Sequence, residues 1–415
     1  MKDNKKRILT ALILVIVFLS GVVCGDLFST YLPLNTLEIK KQSASPKDNI
    51  NTDTKKTLPA ADNTNDTDRR AQEILNSMTL DEKIYQMLFV TPESLTGVGT
   101  CIAAGQTTKE AIEKMPVGGI IYFSENVQNK DQLKQMIKNT QSYSKLPLFI
   151  GVDEEGGQVR RLGSNEALGM EFVGDMADIG RTNDTSKAYA AAKTIASSLN
   201  EFGFNVDFAP VADVYKNKEN TVVKRRSFGS DTNTVSKMSL AFVNGLQDNN
   251  ISACLKHFPG HGATAGDTHD GYSENTFGKD EILKDETAAF KKGIDGGCDF
   301  VMSGHISAKA LTGSQIPCSL SKAVVTDILK NEMNFKNIVI TDAMNMGAIS
   351  KNYSAGEAAV MAVEAGNDMV LMPGDINEAF DALKKSVQEN KISEEQINES
   401  VKRILSVKIK RKIIN

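Results

Sequence analysis

Eight short apolar runs alternate with longer stretches of helical periodicity from about residue 69 to the end of the 415-residue chain. The runs fall at 85–90, 118–123, 148–152, 205–211, 251–255, 300–303, 338–341 and 369–372. Between and after them, helical patterning is read at 131–143, 186–202, 235–246, 281–295, 323–332, 356–365, 376–388 and 394–408. Strand and helix in strict alternation predict a parallel sheet joined by crossover helices. The runs are continuous rather than alternately polar, which predicts a sheet buried on both faces. Eight such units fit a single (β/α)8 barrel of the TIM type better than an open doubly wound sheet. No glycine-rich dinucleotide loop follows the first run, which also disfavours the open sheet.

Local signals sharpen the boundaries. Thr79 and Glu82 form a capping-box pattern that starts a helical turn before the first run. The alanine-rich stretch ending at Phe202 is followed by Gly203, a C-terminal cap. The barrel is therefore expected over 69–415.

What precedes it has another texture. Lys2, Lys5, Lys6 and Arg7 stand before an apolar run from Ile8 to Gly25. Basic-then-apolar order is that of a signal anchor or a signal peptide, and the run just reaches the length of a spanning helix. Residues 1–34 are read as an uncleaved anchor, with a cleaved signal, or a lipoprotein modified at Cys24, as alternatives. Residues 35–68 are rich in Ser, Thr, Asn, Asp and Lys and are expected to be a flexible linker, because too little apolar surface is present to offset the entropy of ordering. The expected location is extracytoplasmic and membrane-anchored, or secreted if the signal is cleaved.

A formal net charge of −4 with no dominant basic patch argues against a nucleic-acid partner. No C-x-x-C occurs among the five cysteines, so neither a zinc site nor a redox motif is expected. Cys254 and Cys298 are expected as small apolar residues in or beside buried strands. An exported location permits a Cys101–Cys318 disulfide, which spacing alone does not establish.

In such a barrel the active site forms where the strands end. Run three ends in Asp153-Glu154-Glu155, with Arg160 and Arg161 just beyond. Run four leads to Asp213 and a loop carrying Arg225 and Arg226. Run five gives Lys256 and His257, then a glycine-rich loop with His261, Asp267 and His269. Run six gives His305 and run seven Asp342. All four histidines of the chain thus meet carboxylates and cations on one rim, the pattern of a catalytic cleft. A strand-end carboxylate can attack an electrophilic sugar carbon. Asp267 and His269, two apart, can form a carboxylate–imidazole pair that gives and takes a proton. Residue types alone leave open that Asp153 and Asp342 are structural carboxylates and that Arg161 and Arg226 form structural ion pairs.

The segments LKHFPGHGATAGDTH, TDAMNMGAI, GVDEEGGQVRRL, APVADV and RRSFG resemble glycoside hydrolase family 3. Within that family they are similar to bacterial β-N-acetylglucosaminidases of the peptidoglycan type. The resemblance implies that Asp342 is the nucleophile, His269 the acid/base and Asp267 its partner. It implies that Asp153, Arg161, Arg226, Lys256 and His257 hold an N-acetylglucosamine unit, with Asp213 and His305 as supports. Before the arginine pair the loop lacks the family's usual Asn-Pro and Ile-Gly, and the assignment falls on Arg226 rather than Arg225. Ala263 stands where relatives often carry Asp. No second domain is expected after the barrel, which disfavours the β-glucosidase branch. The expected activity is retaining hydrolysis of terminal β-linked GlcNAc from GlcNAc-MurNAc fragments, without metal or organic cofactor. A phosphorylase using the same dyad, and an inactive anchored sugar-binding protein, are the alternatives.

Overall fold

The computed structural model describes residues 63–264, 266, 271 and 273–415, with backbone alone at 63–65. The expected membrane segment, the linker up to residue 62, Asp267 and His269 lie outside the described residues. Among the described residues, no helix is long and apolar enough to cross a membrane.

Eight parallel strands form the sheet: β1 (Leu88–Val90), β2 (Gly119–Ile121), β3 (Phe149–Val152), β4 (Val206–Asp207), β5 (Ser252–Phe258), β6 (Phe300–Ser303), β7 (Ile338–Thr341) and β8 (Val370–Leu371). Each strand pairs with its sequence neighbour, and β8 returns to β1 with Leu88 opposite Val370 and Phe89 opposite Leu371. Between β7 and β8 the pairing is a single bridge, Ile340 to Met369, supported by Thr341 N–H donating to Met369 O at 3.1 Å. The result is the expected eight-stranded α/β barrel, nearly closed.

The interior is filled by large residues facing small ones. Phe89, Phe149, Phe208 and Phe300 are fully buried, and their rings meet edge-on at 5.3 Å (Phe89–Phe208) and 5.2 Å (Phe149–Phe300). Gly119 and Gly151 make room for them: a Cβ on either would lie within 2.8 Å of the Phe89 ring. Burying one such side chain contributes roughly 1.5–3 kcal/mol. The floor of the barrel is closed from outside the repeat by the last helix, Glu394–Lys410, which sends Lys408 inward to Gln86 Oε1 (2.9 Å) and the Phe149 ring (5.0 Å to its centroid). Asp299 fixes the end of that helix by pairing with Lys410 and Arg411.

Several boundaries differ from the sequence reading, each for a local reason. The first strand begins at Leu88 rather than 85, because the capping box at Thr79 launches a helix, Leu80–Gln86, that takes Tyr85 and Gln86. The fourth strand is only Val206–Asp207, while the fifth runs on through Phe258 and carries Lys256 and His257 within it. The helix Asn63–Asn76 takes in 63–68, the end of the stretch expected as linker. Asp66, Arg69 and Glu73 pair along its exposed face, and Ala71 and Leu75 are buried where it packs on the last helix. Composition alone does not reveal a polar helix held by one apolar stripe. The Ala323–Glu332 segment is helical but π-wound. The Cys101–Cys318 bridge does not form: both thiols are free and buried, as are Cys254 and Cys298. Cys318 is enclosed by apolar surroundings that push its thiol up to about 12.

Candidate active site

β3 ends in three consecutive acids that face different ways. Beyond Val152 the chain folds into a hairpin, Glu154–Gly156 against Val159–Arg160. Glu154 turns toward the hairpin's own loop and accepts from Leu162 N–H (2.8 Å) and Gly163 N–H (3.1 Å). Burial pushes its carboxyl up to about 7. Asp153 and Glu155 face the opposite way, over the barrel mouth, and line a cavity of about 640 Å³.

That cavity is built around Glu155. Arg226 binds it through two parallel bonds, Nε to Oε2 and Nη2 to Oε1, both 2.8 Å. Lys256 reaches Glu155 Oε1 at 2.7 Å and Asp153 Oδ1 at 2.6 Å. Burial works against every charge here, but the opposite charges outweigh it. The Arg226 and Lys256 charges hold Glu155 far below the usual carboxylate range, and Asp153 and Glu155 hold Lys256 above its ordinary value. Arg225 leans away, with its side chain 65% exposed and its Nε donating to Asp175 Oδ2 at 2.6 Å. The geometry therefore separates the two arginines, and Arg226 is the one at the cavity. Arg161 also lines it, its guanidinium 5.6 Å from the Phe123 ring centroid. Its Nε has no partner among the described residues.

The β5 residues are locked from below by Asp213. One oxygen, Oδ1, accepts the backbone N–H of His257 (3.1 Å) and of His261 (2.7 Å), while Oδ2 accepts from His257 Nδ1 at 2.7 Å. With Nδ1 as donor, His257 presents Nε2 toward Arg226 Nη2, 3.4 Å away. The Lys256–His257 and Phe258–Pro259 peptide bonds are cis. Gly260 follows with φ +135, and a Cβ there would overlap the Glu286 carboxyl, so only glycine fits the turn. His261 lines the cavity beside His257, with ring centroids 5.8 Å apart.

Asp342 stands at the end of β7 and lines the same cavity. Its N–H donates to Ser303 O (2.9 Å), and its Oδ1 accepts from Ala343 N–H (2.8 Å). Burial raises this carboxyl, but His257, His305, the Ala343 N–H and Lys256 together bring it below the ordinary aspartate value. It is an anion at neutral pH, and among the described residues its Oδ2 has no hydrogen-bond partner. His305 lies behind it, fully buried. Among the described residues no cluster of His, Cys, Asp or Glu is arranged to hold a metal ion.

The family described as "Glycosyl hydrolase family 3 N terminal domain" matches residues 79–407. The chain belongs to glycosyl hydrolase family 3. Beta-hexosaminidase A of Pseudoalteromonas piscicida is 33% identical over 370 residues, covering 81% of this chain and 61% of that protein. Beta-hexosaminidase LpqI of Mycobacterium tuberculosis is 33% identical over 272 residues, 63% of this chain and 68% of that protein. The solved structure of a glycoside hydrolase family 3 beta-N-acetylglucosaminidase from Paenibacillus sp. str. FPU-7 superposes with a TM-score of 0.76 at 35% identity, covering 82% of this chain and 64% of that one. The chain thus spans under two thirds of the length of the P. piscicida and Paenibacillus proteins.

Of the family 3 residues expected at the site, Asp153, Arg161, Arg226, Lys256, His257 and Asp342 all line one cavity. Asp267 and His269 lie outside the described residues. The sequence reading did not single out Glu155, though it binds both Arg226 and Lys256. The signal for it was the Asp-Glu-Glu run facing more cations than Asp153 alone could balance. His261 was noticed only as part of its motif, and the apolar wall of Met302, Met346 and Met372 was missed, since methionines near strand ends read as core.

Proposed function

We propose that the chain is a retaining β-N-acetylglucosaminidase that removes terminal β-linked GlcNAc, with GlcNAc-MurNAc cell-wall fragments as its substrates. The observation that carries the reading is Asp342: an ionised carboxylate with one oxygen tied to Ala343 N–H and the other without a partner among the described residues, in a cavity lined by hydrogen-bonding groups. In this reading Asp153, Arg161, Arg226, Lys256 and His257 hold the sugar hydroxyls and the acetamido group. Asp342 Oδ2 attacks the anomeric carbon as the glycosidic C–O bond breaks, and protonated His269 gives its proton to the departing oxygen. A covalent glycosyl-enzyme results. Neutral His269 then takes a proton from water, whose oxygen displaces Asp342 from the anomeric carbon. Two inversions leave the β configuration unchanged. Asp267 orients the imidazole and stabilises its cation. The names of the relatives support the sugar class. The basic-then-apolar order of residues 1–34 supports an enzyme held outside the cytoplasmic membrane.

The test is turnover of nitrophenyl β-GlcNAc and nitrophenyl β-glucoside by the purified chain, with and without phosphate. Hydrolysis of the GlcNAc substrate with β-GlcNAc as first product is expected. Glucosyl phosphate or GlcNAc-1-phosphate as the main product identifies a phosphorylase instead, and no turnover of either substrate identifies a sugar-binding protein.

A further inference from the structure

His305 is the one described histidine that neither lines the cavity nor is left with a free ring nitrogen. It follows β6 and is fully buried. Its Nε2 is 3.0 Å from Ala343 O, and its Nδ1 is 2.7 Å from Ser319 Oγ. A carbonyl oxygen only accepts, so Nε2 carries the hydrogen. A neutral ring then accepts at Nδ1 from the Ser319 hydroxyl, and burial, which lowers His305, favours the neutral ring. Tautomer and orientation are thereby fixed at both ends.

Ser319 is itself held. Its N–H donates to Gly304 O at 3.0 Å, and its carbonyl accepts from Asn367 Nδ2 at 2.8 Å. The other end of that amide, Asn367 Oδ1, accepts from Ser303 Oγ at 2.7 Å. Ser303, His305, Ser319 and Asn367 are all buried. The network grips the chain around Asp342 on both sides. Asp342 N–H is bonded to Ser303 O, and the Ala343 carbonyl to His305. Between these two points lies the Ala343 N–H that donates to Asp342 Oδ1. The Ala343 carbonyl lies in the next peptide unit, whose Met344 N–H donates to Leu371 O at 2.9 Å. His305 and Leu371 together fix that unit and so the position of the Ala343 Cα, through which the N–H is kept on the carboxylate.

We propose that His305, its ring set by Ser319, is a positioning residue that holds the Ala343 N–H on Asp342 Oδ1 and so keeps Oδ2 aimed and ionised for attack. The assignment rests on the reading of Asp342 as the nucleophile. It gives His305 no contact with substrate and no proton transfer, since both ring nitrogens are occupied.

The groups facing Asp342 are Lys256 and His257 from β5, His305 from beyond β6 and the Ala343 N–H. Only the last two change in the experiment. Full-length wild type, His305→Leu, His305→Gln and Ser319→Ala are compared by thermal melting and by the pH dependence of kcat/KM on nitrophenyl β-GlcNAc. A hydrogen bond lost from a charged acceptor predicts an acid limb raised by about one unit and kcat lowered about 10-fold, with KM little changed, in His305→Leu. Glutamine can donate to Ala343 O and accept from Ser319, so His305→Gln should return most of both. If the leucine variant does not fold, Ser319→Ala is expected to raise the acid limb by a smaller amount. A folded His305→Leu, or in its absence Ser319→Ala, with an unmoved acid limb overturns the proposal, as does a glutamine variant no better than leucine. Trapping the wild type with a 5-fluoro-GlcNAc fluoride separates the two readings. A label on Asp342 with an unmoved limb removes the His305 assignment alone, whereas a label on another residue removes the nucleophile reading beneath it.

Discussion

Two buried lysines, Lys256 at the rim and Lys408 at the floor, hold their charge in opposite ways. At the rim Glu155, Lys256 and Arg226 are almost fully enclosed, yet each lies within 2.8 Å of a partner of opposite sign. Burial is outweighed, and acids move down while bases move up. At the floor Lys408 is equally enclosed with a neutral partner, Gln86, and an aromatic ring. Among the described residues no opposite charge offsets burial there, and its amine is pushed down to about 7. Compensation by neighbours, rather than depth, decides whether a buried group stays charged. Removing charge from the rim cluster should therefore cost function, and removing it at Lys408 should add stability.

The largest effect is expected from Asp342→Asn. The amide keeps the shape and the bond from Ala343 N–H but cannot form the glycosyl-enzyme. Turnover should fall on the order of 10⁴-fold or more, with the melting temperature equal to or above that of wild type. Near-normal turnover would place the nucleophile elsewhere on the rim.

His269→Ala should come next, and unevenly. Protonation matters for a sugar alkoxide and little for an acidic phenol. Hydrolysis of a GlcNAc-MurNAc disaccharide should drop by about 10²–10⁴-fold. With a nitrophenyl substrate the first step should survive, giving a burst of phenol before slow turnover. Equal losses on both substrates without a burst would make His269 a binding or structural residue.

Glu155→Gln breaks the compensation directly. It leaves Arg226 without its paired carboxylate and Lys256 with Asp153 alone. Removing one partner of a buried pair costs about 3–5 kcal/mol, so the melting temperature should fall and KM rise. An unchanged melting temperature would show that the rim does not depend on this carboxylate.

How much of this was legible in the sequence depends on where each residue gets its partners. Asp342 and Lys256 could be placed because each sits at the end of an apolar run, where barrel geometry alone decides which way the chain faces. The eight-fold alternation could be read for the same reason: period and length are local. Glu155 could not be singled out from Glu154, its neighbour, because which of the two meets Arg226 depends on a hairpin with a register shift between Glu154 and Gly156. The choice of Arg226 over Arg225 rested on resemblance and needed Asp175, fifty residues earlier, to be explained. Lys408 was invisible: in sequence it is one more lysine near the end of an amphipathic helix, and only the meeting of that helix with Gln86 and Phe149 encloses it.

Lys408→Met is the smallest effect and the sharpest test of the contrast, because it should improve the protein. Folding lowers this amine from its ordinary value of 10.5 to about 7. Between those values the unfolded chain binds more protons than the folded one, so stability rises with pH across that window. Its penalty is absent above pH 10.5, grows as pH falls toward 7, and is constant below. Methionine fills similar volume without a charge, at the loss of one hydrogen bond to Gln86. Replacing a poorly compensated buried charge by an apolar residue of similar size is worth about 1–4 kcal/mol. The variant should therefore unfold at higher denaturant than wild type at pH 6–7, and the difference should shrink as pH rises toward 10. Activity should be unchanged, since Lys408 lies at the opposite end of the barrel from Asp342. A variant less stable than wild type at pH 6–7 would show that the ring of Phe149 and the carbonyl of Gln86 compensate this charge after all, and that floor and rim differ in degree rather than in kind.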